Sequence, residues 1–178
     1  EPGDLVCVSG YSLFEPTRAP LLEFLEALPE GVDVVLDPGA PFATFPREVQ
    51  NRVLSRTTVW TSNADEAKAL TQLDALEDTP ESIRRWLAPG AAVVVRDGER
   101  GCMVFHHGRG TQIPAFPQKA VDTNGAGDTH TGVLLAERAL GTDWESAATR
   151  ANAAAAIAVT RHGTESAPTR AEVDAFLA

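Results

Sequence analysis

Asp122-Thr123-Asn124-Gly125-Ala126-Gly127-Asp128-Thr129 is the stretch on which the reading of this chain turns. It follows residues 111–121, which carry one or two short strands broken by Pro114 and Pro117, and it opens a helical pattern from about Gly125 to Leu140. Gly125, Ala126 and Gly127 let the backbone approach a ligand, because none carries more than a methyl group. A helix start directs unsatisfied N–H groups outward, and its dipole favours an anion there. That combination makes an anion hole for phosphate. Asp128 falls in the first turn, beside the hole. Its carboxylate can accept the proton of an attacking hydroxyl while the N–H groups neutralise charge, as phosphoryl transfer requires. A glycine-rich loop followed by an acid that merely suits the helix dipole has the same short pattern. The rest of the chain must decide between them.

Upstream, strands alternate with helices. Residues 4–9 read as a strand ending at Gly10, and Leu21, Leu22, Leu25 and Leu28 form an apolar stripe on a helix from Pro16. Val32–Leu36 is the next strand, closed by the turn Asp37-Pro38-Gly39. A short helix runs from Pro46 to about Leu54, then a strand from Thr57 to Thr61. Asn63 is placed to cap a helix reaching about Leu70. A helix over Pro80–Leu87 leads to strand Ala91–Arg96, a turn with Gly98 and Gly101, and strand Cys102–His106. Helices over Trp144–His162 and Arg170–Leu177 complete the chain. This alternation predicts an α/β fold with a mostly parallel sheet, and Asp97–Gly101 is too short for a crossover, so one antiparallel pair is expected. Ligands of such sheets bind beyond the C-terminal strand ends. No linker or internal repeat divides the chain, so a single domain over 1–178 is expected.

Composition narrows the function. The 178 residues are 43% apolar and 22% charged, which suits a globular domain with a core. A net charge of −10 argues against nonspecific nucleic-acid binding, but not against a small anion held by backbone N–H groups. Cys7 and Cys102 sit in apolar runs and are expected as buried strand thiols outside any disulfide; no zinc-ligand spacing occurs. No leader-like segment or apolar run of about 20 residues is present, which sets no membrane partner and a cytoplasmic location as the expectation. The first residue is Glu1 rather than Met, and a strand follows within a few positions. A natural start, a fragment or a processed product would all read this way. His106, His107, His130 and His162 show no ligand spacing and are expected on the surface or in loops. Trp60, Trp86 and Trp144 are expected in the core or at its rim.

The string from Asp122 to Thr129 resembles the DTxGAGD signature of the ribokinase, or PfkB, family of small-molecule kinases. Three further pieces occur in that family's order. Asn63-Ala64-Asp65-Glu66 is similar to its Asn-x-x-Glu motif, although Ser62 stands where relatives often have Pro. Val93–Gly101 resembles the strand and glycine turn that line the nucleotide site, although relatives often have Thr or Ser at Arg96. Ala151–Gly163 resembles the family's C-terminal helix and loop; eight of residues 147–158 are Ala, which also allows close helix packing.

The resemblance implies a ribokinase-like three-layer α/β/α sandwich. It implies ATP and Mg2+ as cofactors, a sugar or sugar-like substrate, and Asp128 as catalytic base beside an anion hole of Gly125, Ala126 and Gly127. Asn63, Arg96, Gly98, Gly101 and Asn152 would contact the nucleotide, with Asn152 near adenine; Arg96 would either touch phosphate or form an outward salt bridge. Glu66 would hold Mg2+ through water. Asp122 and the Asn124 carbonyl would be ligands of a monovalent cation such as K+.

The resemblance covers only the C-terminal part of a typical member. The N-terminal part, with the paired-glycine substrate motif and a β-lid, is missing, and Gly-Gly occurs nowhere in the chain. An incomplete sheet leaves an open edge, which favours association, a homodimer being the simplest case. Without a lid the reaction is open to water. The expectation is therefore a carbohydrate kinase whose 178-residue piece alone is weak or inactive. A non-catalytic nucleotide-binding or interaction module from a truncated kinase is the alternative from another class, and a nucleoside kinase is the alternative within the family. A Rossmann dehydrogenase fits less well, because its glycine loop follows the first strand.

Overall fold

The strands β1 (Leu5–Ser9), β2 (Asp33–Asp37), β3 (Val59–Asn63), β4 (Ala92–Arg96), β5 (Cys102–His106) and β6 (Arg109–Ile113) follow one another in chain order across one sheet. The computed structural model describes residues 1–163 and 166–178. β1 to β4 pair in parallel, with Val8 opposite Leu36, and Leu36 opposite Trp60, which faces Val93. Parallel neighbours need crossovers. These are supplied by α1 (Arg18–Ala27), α2 (Arg47–Leu54), and α3 (Ala64–Thr71) with α4 (Thr79–Arg84). The helices α5 (Ala126–Ala139), α6 (Trp144–Ala158) and α7 (Arg170–Leu177) close the chain. Among the described residues no helix is long and apolar enough to cross a membrane.

The chain divides into two compact units. The first comprises Glu1–Arg96 with Phe105–Gly110. Its core gathers Leu25, Val34, Leu36, Phe42, Val53, Trp60, Ile83, Val93 and Val95. Val93, Val94 and Val95 are buried in succession, the mark of a strand covered on both faces. Trp60 is fully buried, and its indole N–H donates to Ser62 Oγ at 2.8 Å, so the ring enters the core without an unsatisfied donor.

The second unit comprises Asp97–Val104 with Thr111–Ala178. α5 packs along α6, whose small side chains Ala147, Ala148, Ala151 and Ala154 are buried. Val173 of α7 packs on Ala153 and Ala154 with Phe116, Val133 and Ile157 around it. The alanine run is thus a packing surface, as its composition suggests.

Several expectations change. Cys7 is exposed rather than buried, because β1 is first in the sheet order and buries only Val8 fully; Cys102 is buried as expected. His130 is buried rather than at the surface: it faces inward on α5, where Asn152 offers it a polar partner. β6 begins at Arg109, directly after a two-residue turn in which His107 and Gly108 have φ of 51° and 76°. Paired positive φ values suit the tight hairpin turns whose twist matches that of strands. α6 stops at Ala158, not His162, and the Val159 carbonyl accepts from the N–H groups of Val121 and Asp122.

Candidate active site

In the first unit, the C-terminal strand ends carry a polar group. Asn63 ends β3 and caps α3: its Oδ1 accepts from Glu66 N at 2.8 Å, and Glu66 Oε2 accepts from Asn63 N at 2.9 Å. This capping box fixes both side chains at the mouth of the helix. Arg96 ends β4, opposite Asn63 in the register. Its guanidinium donates to Thr61 Oγ1 at 2.8 Å and to Asp37 Oδ2 at 3.3 Å, and its side chain is only 15% exposed. Arg96 therefore makes an inward salt bridge to the end of β2. Burial raises the pKa of the Glu66 carboxyl above the ordinary range, against the Asn63 N–H, and the nearby charge of Asp37 adds to the rise; Arg96 opposes it. Such a site gains from a cation placed beside Glu66. Among the described residues no three of His, Cys, Asp and Glu gather as a metal cage. A divalent ion at Glu66 would therefore need phosphate and water oxygens, the usual manner of Mg2+.

In the second unit, Asp122 to Asp128 form a fixed loop. Asp122 Oδ1 accepts from Asn124 N at 2.9 Å, and Oδ2 accepts from Gly163 N at 3.0 Å. These two N–H groups, Asn124 first, hold its carboxyl below the usual carboxylate range. Gly125 is the N-cap of α5 with φ of 74°, a left-handed conformation that a side chain would strain. It offers no side chain to cap the helix, so the first-turn N–H groups of Gly127 and Asp128 have no acceptor from that source. Asp128 is exposed in the same turn. The geometry suits an anion bound at the helix start with a carboxylate next to it.

Gly98 and Gly101 bracket a single 3-10 turn closed by Asp97 N donating to Gly101 O at 2.7 Å. Gly98 faces open space, whereas a Cβ on Gly101 would lie 2.0 Å from the Ile113 carbonyl oxygen. Gly101 is therefore a close-packing position. Asn152 is buried at 8% exposure. Its Nδ2 donates to the carbonyls of Ile113 and Pro114 at 3.2 and 3.0 Å, and its Oδ1 lies 3.1 Å from His130 Nε2. These bonds make Asn152 a brace between α6, α5 and the end of β6. Asp37 and Thr61 escaped the sequence reading as site residues; Asp37 left a signal only as the first residue of the turn after its strand, whereas the Gly163 N–H falls among the backbone groups of residues 158–163 that the resemblance sets beside the nucleotide and cation sites.

The pfkB family carbohydrate kinase model matches residues 1–170. The chain belongs to that family. Among pfkB relatives, the uncharacterized sugar kinase YegV of Escherichia coli K12 is 34% identical over 174 residues, which is 97% of this chain and 54% of that protein. The ribokinase of Thermotoga maritima superposes with a TM-score of 0.83 at 28% identity, over 98% of this chain and 56% of its own. A fructokinase of Vibrio cholerae, solved with fructose, ADP and a calcium ion, gives a TM-score of 0.87 at 27% identity, over 100% of this chain and 62% of its own. A double mutant of that fructokinase carries a potassium ion with fructose and ADP. The fold is ribokinase-like α/β, with a mostly parallel six-stranded sheet. The chain spans about half the length of YegV and of the Thermotoga ribokinase.

Proposed function

We propose that this chain is the C-terminal, nucleotide-binding and catalytic portion of a single ribokinase-like domain that phosphorylates a hydroxyl of a sugar or sugar-like molecule at the expense of ATP. The observation that carries the reading is the Asp122–Asp128 loop: a carboxylate in the first turn of a helix whose N-cap, Gly125, has no capping side chain. Bound MgATP supplies the phosphoryl group and a cation that spreads its charge. Gly125, Ala126 and Gly127 present N–H groups to the phosphate. Asp128 takes the proton from the acceptor hydroxyl. Glu66 holds Mg2+ through water, and its burial-raised pKa is the local cost that such a cation offsets. Asn63 and Arg96 would contact the nucleotide, Arg96 being held by Asp37 and Thr61. Gly98 and Gly101 shape backbone near the nucleotide, and Asn152 serves the adenine side by bracing the end of β6. Asp122 and the Asn124 carbonyl bind K+. The location is cytoplasmic, and a homodimer would cover the open sheet edge.

The test is ATP-dependent phosphorylation of a panel of sugars and nucleosides, by the full gene product and by the 178-residue chain alone, with binding of a non-hydrolysable ATP analogue measured separately. The proposal expects turnover of a sugar by the full product and weak or no turnover by the chain. Analogue binding without turnover by either would favour a non-catalytic module, and preference for a nucleoside would move the acceptor within the family.

A further inference from the structure

The second unit contains an ion pair that the catalytic reading does not use. Glu172 is the third residue of α7 and completes a capping box there: its Oε2 accepts from Thr169 N at 2.7 Å, and Thr169 Oγ1 accepts from Glu172 N at 3.3 Å. Its other oxygen, Oε1, accepts from Arg161 Nη2. Arg161 lies just beyond the end of α6, and a second of its nitrogens donates to the Ser166 carbonyl at 3.4 Å. Two residues on, the Gly163 N–H donates to Asp122 Oδ2, while Asp122 Oδ1 holds Asn124 N, next to the N-cap of α5. α7 is itself seated on α6 by Val173 and by a separate ion pair, Arg150–Asp174. A continuous series of bonds thus runs from α7 through Arg161 and Gly163 to the first residue of the glycine loop.

We propose that Arg161 and Glu172 are positioning residues for this loop: their ion pair fixes the segment carrying Gly163, and Gly163 in turn holds Asp122 and the start of α5. Both side chains are partly exposed, at 37% and 44%, and ion pairs so placed contribute little to stability. What the pair supplies is direction. Without it, Gly163 loses its tie to α7, and Asp122 keeps only the bond within its own loop. The consequence for phosphate binding rests on the function proposed above; the mechanical link does not.

The experiment compares Arg161→Met, Arg161→Lys, Glu172→Gln and Asp174→Asn in the full gene product. Glu172→Gln retains the capping box, since an amide oxygen also accepts from the N-cap, and so keeps the test valid if Arg161→Met folds poorly. Asp174→Asn loosens α7 at its ion pair with Arg150 without touching Gly163. Amide hydrogen exchange at Asn124 and Gly163 is read without nucleotide, and affinity for a non-hydrolysable ATP analogue is read alongside. Arg161→Met and Glu172→Gln are expected to lose protection at Gly163, with less change at Asn124, whose bond to Asp122 lies within the loop, and to weaken the analogue by about tenfold, the order found when a residue that orients a ligating group is lost. Arg161→Lys, which keeps the charge, restores most of both. Asp174→Asn leaves both at the wild-type level. Unchanged protection in Arg161→Met and Glu172→Gln, or equal loss in Asp174→Asn, overturns the proposal. If the wild type binds no ATP analogue, the functional reading fails, and amide exchange alone decides the link.

Discussion

Asn152→Ala removes an amide whose Nδ2 donates to the carbonyls of Ile113 and Pro114 and whose Oδ1 accepts from His130 Nε2. A buried carbonyl that loses its donor costs about 1–3 kcal/mol, and two do so here. Asn152 retains 8% exposure, so water reaches part of the gap and the lower half of the range applies. The expected destabilisation is roughly 2–4 kcal/mol, a large fraction of the stability of an ordinary domain. Urea unfolding of the full gene product, followed by circular dichroism, measures it as a shift in midpoint with unchanged slope. A loss below about 0.5 kcal/mol, the range of ordinary surface substitutions, would refute the bracing role, and weakened ATP binding at undiminished stability would show that Asn152 acts on ligand directly.

Two further substitutions probe the site's parts. Glu66→Gln keeps the cap of α3 but removes a carboxyl whose pKa is raised by burial; since a raised carboxyl pKa favours the protonated fold, wild-type stability falls as pH rises through it. The variant is therefore expected to lose less stability between acid and neutral pH, in parallel melts across that range, while Mg2+-dependent turnover drops about 10- to 100-fold. Gly101→Ala forces a Cβ towards the Ile113 carbonyl at a φ of 91° and should cost roughly 2–3 kcal/mol in thermal melts, whereas Gly98→Ala, facing open space, should cost about 1 kcal/mol.

Features set by neighbours along the chain were legible. The capping box needs only Asn63 and Glu66 three positions apart, and the start of α5 is marked by Gly125 at a left-handed cap. Features that depend on pairing across the fold were hidden. Arg96 meets Asp37 only because β2, β3 and β4 run parallel in register, bringing together residues 59 apart in sequence. His130 is buried because Asn152, 22 residues later, offers a polar partner within the packing of α5 on α6. A short strand was expected within residues 111–121, but the start of β6 at Arg109 was not legible, because Arg109-Gly110-Thr111-Gln112-Ile113 buries only Ile113 and carries no apolar alternation. Cys7 was misplaced because an apolar run alone does not distinguish an edge strand from an inner one.

The central claim is that Asp128 takes the acceptor's proton in phosphoryl transfer. Asp128→Asn in the full gene product, assayed at saturating sugar and varied MgATP, measures it most directly. The substitution is nearly isosteric and leaves the loop from Asp122 to Gly127 intact. The account predicts kcat lower by about 10²- to 10⁴-fold, the range for loss of a general base, with KM for ATP within a few-fold of wild type. A kcat within a few-fold of wild type would contradict it.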